Sequence, residues 1–171
     1  RRGPAADPRP HTRAPPAAPR GGVGSRGPGG RGDTHSLGGK SDGTVWGWGD
    51  HGSGELGDGT TTGRAAPGRS GTLNGVRALA AGNEFSLALM ADGTVKAWGI
   101  NTWGQLGNNT TTNSLTPVTV TGLTSVVAIT ASGGHGAALK SDGTVWAWGH
   151  NTTAQLGDGT STDRAAPVRS G

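Results

Sequence analysis

The chain is 171 residues long, with 15 Lys and Arg, 11 Asp and Glu, a formal net charge of +4 and no cysteine, which excludes disulfides, thiolate metal sites and cysteine nucleophiles. The positive balance sits at one end: residues 1–32 hold seven Arg and one Asp, while residues 33–171 hold eight Lys or Arg against ten Asp or Glu. Nucleic-acid binding therefore has no electrostatic support outside that end, and no stretch reads as a signal peptide or as an apolar run long enough to span a membrane.

Residues 1–32 are mostly Arg, Pro, Gly and Ala, with Val23 as their one large aliphatic residue and no Phe, Trp or Tyr. Such a segment buries too little apolar surface to offset the entropy of ordering, so it is expected to be a disordered tail. Its arginines suit phosphate or anionic surfaces, yet it lacks both an Arg-Gly-Gly array and interleaved aromatics, and a linker is the simpler reading. A start at Arg1 rather than Met reads as a processed chain or a piece of a longer one.

Beyond residue 32 the chain repeats. Ser41–Gly49 reads Ser-Asp-Gly-Thr-Val-Trp-Gly-Trp-Gly, and close copies stand at Ala91–Gly99 and Ser141–Gly149, at a constant offset of fifty residues. An Asp-Gly pair between two strand-forming runs predicts a tight β-hairpin, both residues tolerating positive φ. Alternation then places Trp146 and Trp148 on one face and Val145 and Ala147 on the other. Trp48, Trp98 and Trp148 share a repeat position and are read as core. Trp46 and Trp146 correspond to Lys96 and are read as half-exposed.

The same offset aligns Leu56, Leu106 and Leu156, each followed by Gly, and then Pro67, Pro117 and Pro167. Between Leu and Pro runs a Thr-rich loop, Asp58–Thr62 in the first copy, whose composition suggests turns and hydroxyl caps. Strands are expected at Pro117–Val120, Val126–Ile129, Phe85–Met90 and their counterparts, giving four short strands per repeat and no helix. Gly38 and Gly39, standing where later copies have Ala88-Leu89 and Ala138-Leu139, weaken the first of these strands. The repeats fall at 33–71, 72–121 and 122–171.

A repeat of about fifty residues with four antiparallel strands fits a β-propeller blade. The hairpin motif, followed by Asn151, Gln155-Leu156-Gly157-Asp158-Gly159-Thr160, Asp163-Arg164 and Pro167-Val168, resembles the regulator of chromosome condensation repeat in its bacterial form. The resemblance covers residues 33–171 and implies an all-β, partial propeller, since family members close seven blades into a ring of roughly 350 residues. The expectation is eleven strands: two complete blades plus a first blade that opens at its second strand. Uncovered blade faces should then aggregate, self-assemble or pack loosely.

Most polar residues have structural explanations. His35 and His135 share a position with Phe85, so a packed ring suffices there. Asp42, Asp92 and Asp142 belong to the Asp-Gly turn. Asp58 and Asp158 align with Asn108, which argues against a hard-cation site. Asp163 and Arg164 are expected to form a local, dispensable ion pair. No phosphate-binding glycine loop, nucleophile elbow or His-Glu metal helix is present, so no catalytic, cofactor or metal residues are assigned. Rim residues that differ between copies are the candidate partner contacts: Asp50, His51, Glu55, Ile100, Trp103, His150 and Thr153.

The resemblance implies a rigid scaffold with variable loops that binds without doing chemistry. The leading expectation is a non-enzymatic protein-interaction module from a bacterial secreted or cell-surface propeller. Its expected partners are an unidentified protein and other blades, in the same longer chain or in a homo-oligomer, with nucleic acid touched only through the basic tail. Two alternatives follow from relatives. Eukaryotic members catalyse guanine-nucleotide exchange on a small GTPase, which needs a full ring and an inserted wedge, and no insertion separates these repeats. Propellers that inhibit β-lactamase resemble the family, which suggests an inhibitor of a secreted hydrolase.

Overall fold

The computed structural model describes residues 29–171, so the tail reading of 1–28 lies outside the described residues. Twelve strands form among them. The first sheet holds β1 (Gly29–Arg31), β2 (His35–Gly39), β3 (Val45–Gly49) and β4 (Arg64–Arg69). The second holds β5 (Val76–Ala81), β6 (Phe85–Met90), β7 (Val95–Gly99) and β8 (Ser114–Thr119), and the third holds β9 (Val126–Ser132), β10 (His135–Lys140), β11 (Val145–Gly149) and β12 (Arg164–Arg169). Each is a four-stranded antiparallel meander in which neighbours in sequence are neighbours in space.

Two boundaries differ from the sequence reading. The first sheet has a fourth strand, β1, inside the stretch assigned to the tail, so three complete blades stand where two and a part were expected. Backbone pairing of Gly29–Arg31 with Ser36–Gly38 makes this strand, without help from side chains. Gly30 lies flat on the next sheet, where a Cβ would come within 3.1 Å of the Ala80 backbone. The outer strands also begin earlier than the prolines suggested. Arg164 pairs with Gly149 and Val168 with Ala147, so β12 bulges by two residues around Pro167. Proline is tolerated because β12 is an edge strand with no further ladder to feed.

The hairpin turn is longer than a two-residue Asp-Gly turn. Gly43 N–H bonds to Lys40 O and Lys40 N–H to Thr44 O, so the loop holds Ser41, Asp42 and Gly43. Only Gly43 takes positive φ, at 80°, which is the geometry of a type I turn closed by a glycine bulge. Asp42 serves differently: its carboxylate accepts from the backbone N–H and hydroxyl of Thr44, at 2.9 and 2.6 Å. The same two bonds recur at Asp92 and Asp142.

Period-two alternation gives each blade two apolar faces. On the second blade one face carries Leu87, Leu89, Val95 and Ala97, and the other carries Ala88 and Trp98. The Leu/Val face of each blade packs on the Trp face of the next. Leu37 and Val45 cluster with Ala88 and Trp98, while Leu87, Leu89 and Val95 cluster with Ala138 and Trp148. Trp98 and Trp148 are fully buried, as are Leu56, Leu106 and Leu156. Burying one such side chain contributes about 1.5–3 kcal/mol, so these junctions are the main cohesive element of the array.

Candidate interaction surface

One rim of the array is built from three long loops, 50–63, 100–113 and 150–163, together with the short turns between the first and second strands of each blade. Each loop is tied by a side chain at its second residue. Asn101 Oδ1 accepts from Leu106 N–H at 2.8 Å, while its Nδ2 donates to Thr110 O at 2.9 Å and Thr112 O at 3.0 Å. Asn151 repeats this with Leu156, Thr160 and Thr162, at 3.0, 3.1 and 3.0 Å. His51 does the same work in the first blade: Nδ1 accepts from Leu56 N–H at 2.9 Å and Nε2 donates to Asp58 at 2.8 Å. The sequence reading missed this brace. Its signal is Asn101 and Asn151 in register, five residues before the buried Leu.

Two of the proposed contact residues are therefore internal. His51 is fully buried by the brace it forms. Glu55 is also buried, and its Oε2 accepts from Ser53 N–H at 2.9 Å, the place taken by Gln105 Oε1 beneath Trp103 N–H at 2.8 Å. Asp50, Trp103 and Thr153 are exposed, and Ile100 and His150 half-buried. The structure brings two of them together: the Trp103 ring stacks on His150 of the next blade with centroids 4.8 Å apart. Gly134 lies beneath, where a Cβ would come within 2.5 Å of the indole. His150 is fixed in turn by the Gln155 amide at its Nδ1, 3.0 Å away, and by the Thr152 hydroxyl at its Nε2, 2.8 Å away.

The carboxylates at the loop base are strongly ionised. Burial pushes the Asp58 carboxyl up, but hydrogen bonds from His51 and Thr60 and the charge of Arg64 outweigh it and hold it at about 2. Asp158 is likewise held at about 2, first by the Thr160 hydroxyl and then by Arg164. Arg164 pairs with Asp158 at 2.7 Å rather than with Asp163, correcting the expected pair of neighbours. Asp163 instead accepts from Asn151 N–H at 2.6 Å. Neighbouring side chains cannot easily meet along one strand, whereas the loop folds position 158 back over 164.

The Trp column closes each junction with a hydrogen bond. Trp98 Nε1–H donates to Glu55 O at 2.7 Å, and Trp148 Nε1–H to Gln105 O at 2.8 Å. Trp48 departs from the core assignment: it is half-buried, because its face is the one that no described blade covers. Trp46 and Trp146 are half-buried beside Lys40 and Lys140, whose ammonium groups lie 3.5 and 5.6 Å from the ring centroids. His35 is buried at the first junction. The Ser86 hydroxyl donates to Glu55 O at 2.8 Å, so His35 Nε2 donates to Ser86 at 2.9 Å, leaving Nδ1 buried without a partner. Burial, with a smaller contribution from His51, lowers the pKa of His35 to about 4. His135 is half-buried, and its pKa is lowered by burial and then by His150.

Sequential four-stranded meanders, packed face to face and joined by loops that carry the exposed residues, define a segment of a β-propeller. The regulator of chromosome condensation (RCC1) repeat matches residues 42–89, 92–139 and 142–170, and a second profile of that repeat matches 76–105 and 126–155. The chain belongs to the RCC1 repeat family. Among solved structures it is similar to human WBSCR16, with 26% identity and a TM-score of 0.71 over 81% of this chain and 37% of that one. It is also similar to Prp20p from Saccharomyces cerevisiae, with 22% identity and a TM-score of 0.71 over 81% of this chain and 36% of that one. The chain thus spans little more than a third of each. No curated protein matches it by sequence.

Proposed function

We propose that this chain is a protein-interaction module that engages a protein partner through its long-loop rim, with the Trp103–His150 stack as the anchor, and that it binds rather than catalyses. The observation that carries this reading is the contrast within the loops. In all three loops the side chain at 51, 101 or 151 accepts from the N–H of the buried Leu and bonds to the side chain at 58, 108 or 158, while the exposed or half-buried positions 50, 100, 103, 150 and 153 differ. A 42% exposed Trp, held from below by Gly134 and from the side by His150, presents a preorganised aromatic surface of the kind that dominates binding energy at interfaces. Prp20p is described with binding to Gsp1p and histones, which supports protein partners for this scaffold. Guanine-nucleotide exchange is the second reading and rests on that likeness alone.

The test is quantitative affinity capture with the wild-type chain, Trp103→Ser, His150→Ala and, on the opposite rim, Lys140→Ala. Proteins retained by the wild type and by Lys140→Ala but lost with both rim variants are the expected outcome. An identical set captured by all four chains contradicts the rim assignment. Accelerated nucleotide release from a small GTPase would favour the second reading.

A further inference from the structure

The junction between the first and second blades lacks two side chains that fill the junction between the second and third. Lys96 pairs with Ala88 across β6 and β7 as Trp146 pairs with Ala138 across β10 and β11. Alternation puts each on the face of its junction tryptophan, Lys96 beside Trp98 and Trp146 beside Trp148. The Trp146 ring packs on the core of the second junction, where Leu123 is 3% exposed. Lys96 does not take the ring's place. Its ammonium donates to the Thr119 hydroxyl at 2.6 Å, and Leu73, the counterpart of Leu123, is left half-buried.

Gly71 enlarges the same gap. Its counterpart, Thr121, donates both its N–H and its hydroxyl to Gly107 O, at 2.9 and 2.8 Å. Gly71 has no hydroxyl to give, and among the described residues no donor meets Gly57 O, the matching carbonyl. The result is a groove of about 340 Å³ lined by Gly57, Gly71, Leu73, Lys96, Thr116 and Pro117. Sites for small ligands begin at roughly 300 Å³, so the space is sufficient for one aromatic side chain and its peptide groups. Both walls of the groove belong to complete blades within the chain.

We propose that this groove takes a tryptophan side chain presented by a partner polypeptide, its ring filling the place that Trp146 fills in the other junction. The ring lies against Leu73 and Pro117, the partner's main-chain N–H donates to Gly57 O, and its main-chain carbonyl accepts from Lys96, whose ammonium has donors left after Thr119. The charges favour a neutral peptide group over an ion. Lys96 repels a cation, Asp58 beside the groove is already engaged by Arg64 and His51, and Asp92 faces the same ammonium from the hairpin turn. All six tryptophans of the chain have places of their own, so the ring comes from outside it. Neither Trp103 nor His150 lines the groove, which makes it a second contact, distinct from the rim.

The experiment is titration of the nitrogen-15-labelled whole chain with N-acetyltryptophanamide, followed by NMR, with N-acetylleucinamide as the comparison. Saturable shifts at the Gly57, Gly71 and Leu73 amides, with a dissociation constant in the millimolar range, are the expected result. The leucine amide should bind roughly tenfold more weakly, since it lacks the ring. Lys96→Trp installs the residue that the first and third blades already carry, so it suits the fold; it should cover the groove and abolish the shifts. Trp103→Ser should bind the probe as the wild type does. No saturable shift, equal binding of the two amides, or undiminished binding by Lys96→Trp overturns the proposal. Loss of binding in Trp103→Ser places the probe on the rim and overturns it as well. The rim itself is tested by affinity capture, so this proposal and the proposed function fail separately.

Discussion

His35 supplies the sharpest prediction, because it is a buried imidazole with one nitrogen used and one left over. His35→Phe places there the ring that the second blade already carries as Phe85, packed under Gly82 as His35 is under Gly32. At neutral pH two effects oppose each other. Removing the orphan Nδ1 relieves a desolvation cost of about 1–3 kcal/mol, and losing the bond to Ser86 costs about 1 kcal/mol. The decisive effect is with pH. A histidine with a pKa of about 4 in the fold and 6.5 unfolded binds more protons when unfolded between those values. Stability is therefore fully present above 6.5 and falls as pH drops toward 4. At pH 4.5 the loss is on the order of 2 kcal/mol, and the phenylalanine variant escapes it. Urea unfolding followed by tryptophan fluorescence at pH 7.5 and 4.5 measures both chains, and carboxylate contributions cancel in the difference. Parallel losses in the two chains would refute a buried, neutral His35.

Other expectations follow from the same contacts. His51→Asn installs the brace of the other two loops and should hold or raise the thermal midpoint, whereas His51→Ala leaves Leu56 N–H without its acceptor and removes one of the bonds to Asp58, and should cost about 1–3 kcal/mol in chemical unfolding. Trp148→Phe deletes the N–H to Gln105 O and should cost about 1–3 kcal/mol, against a change within about 0.5 kcal/mol for the half-buried Trp48→Phe. The Asp58 carboxyl, at about 2 in the fold and 3.8 when unfolded, stabilises the fold above 3.8 and loses that contribution as pH falls through 2. Asp58→Asn should flatten this acid limb in a pH series of melts.

The strands around the Asp-Gly motif were legible because alternation and turn chemistry act locally, and the Trp column because a junction that repeats demands the same large ring each time. Three features were hidden, each for its own reason. β1 is made by backbone pairing and by a glycine lying against Ala80, so its composition looks like tail. His51 and Glu55 looked like surface variation because their types differ from Asn101, Asn151, Gln105 and Gln155. Yet imidazole and carboxylate offer the same acceptors at the same places, so different residues do one structural job. Trp48 shares its position with two core residues but not their surroundings, since burial at a junction depends on the neighbouring blade and a single repeat does not contain that information. On the rim, Trp103 is exposed and His150 half-buried, and only the folded loops show that they meet.

The account rests on two junctions, in which Trp98 and Trp148 each bond to the loop of the blade before. Hydrogen exchange of the six indole N–H groups, resolved by nitrogen-15 NMR, tests this directly. Trp98 and Trp148 should exchange slowly and lose protection only on global unfolding, while Trp48 and Trp103 exchange fast. Equal exchange for Trp48, Trp98 and Trp148, whether all slow or all fast, would contradict it.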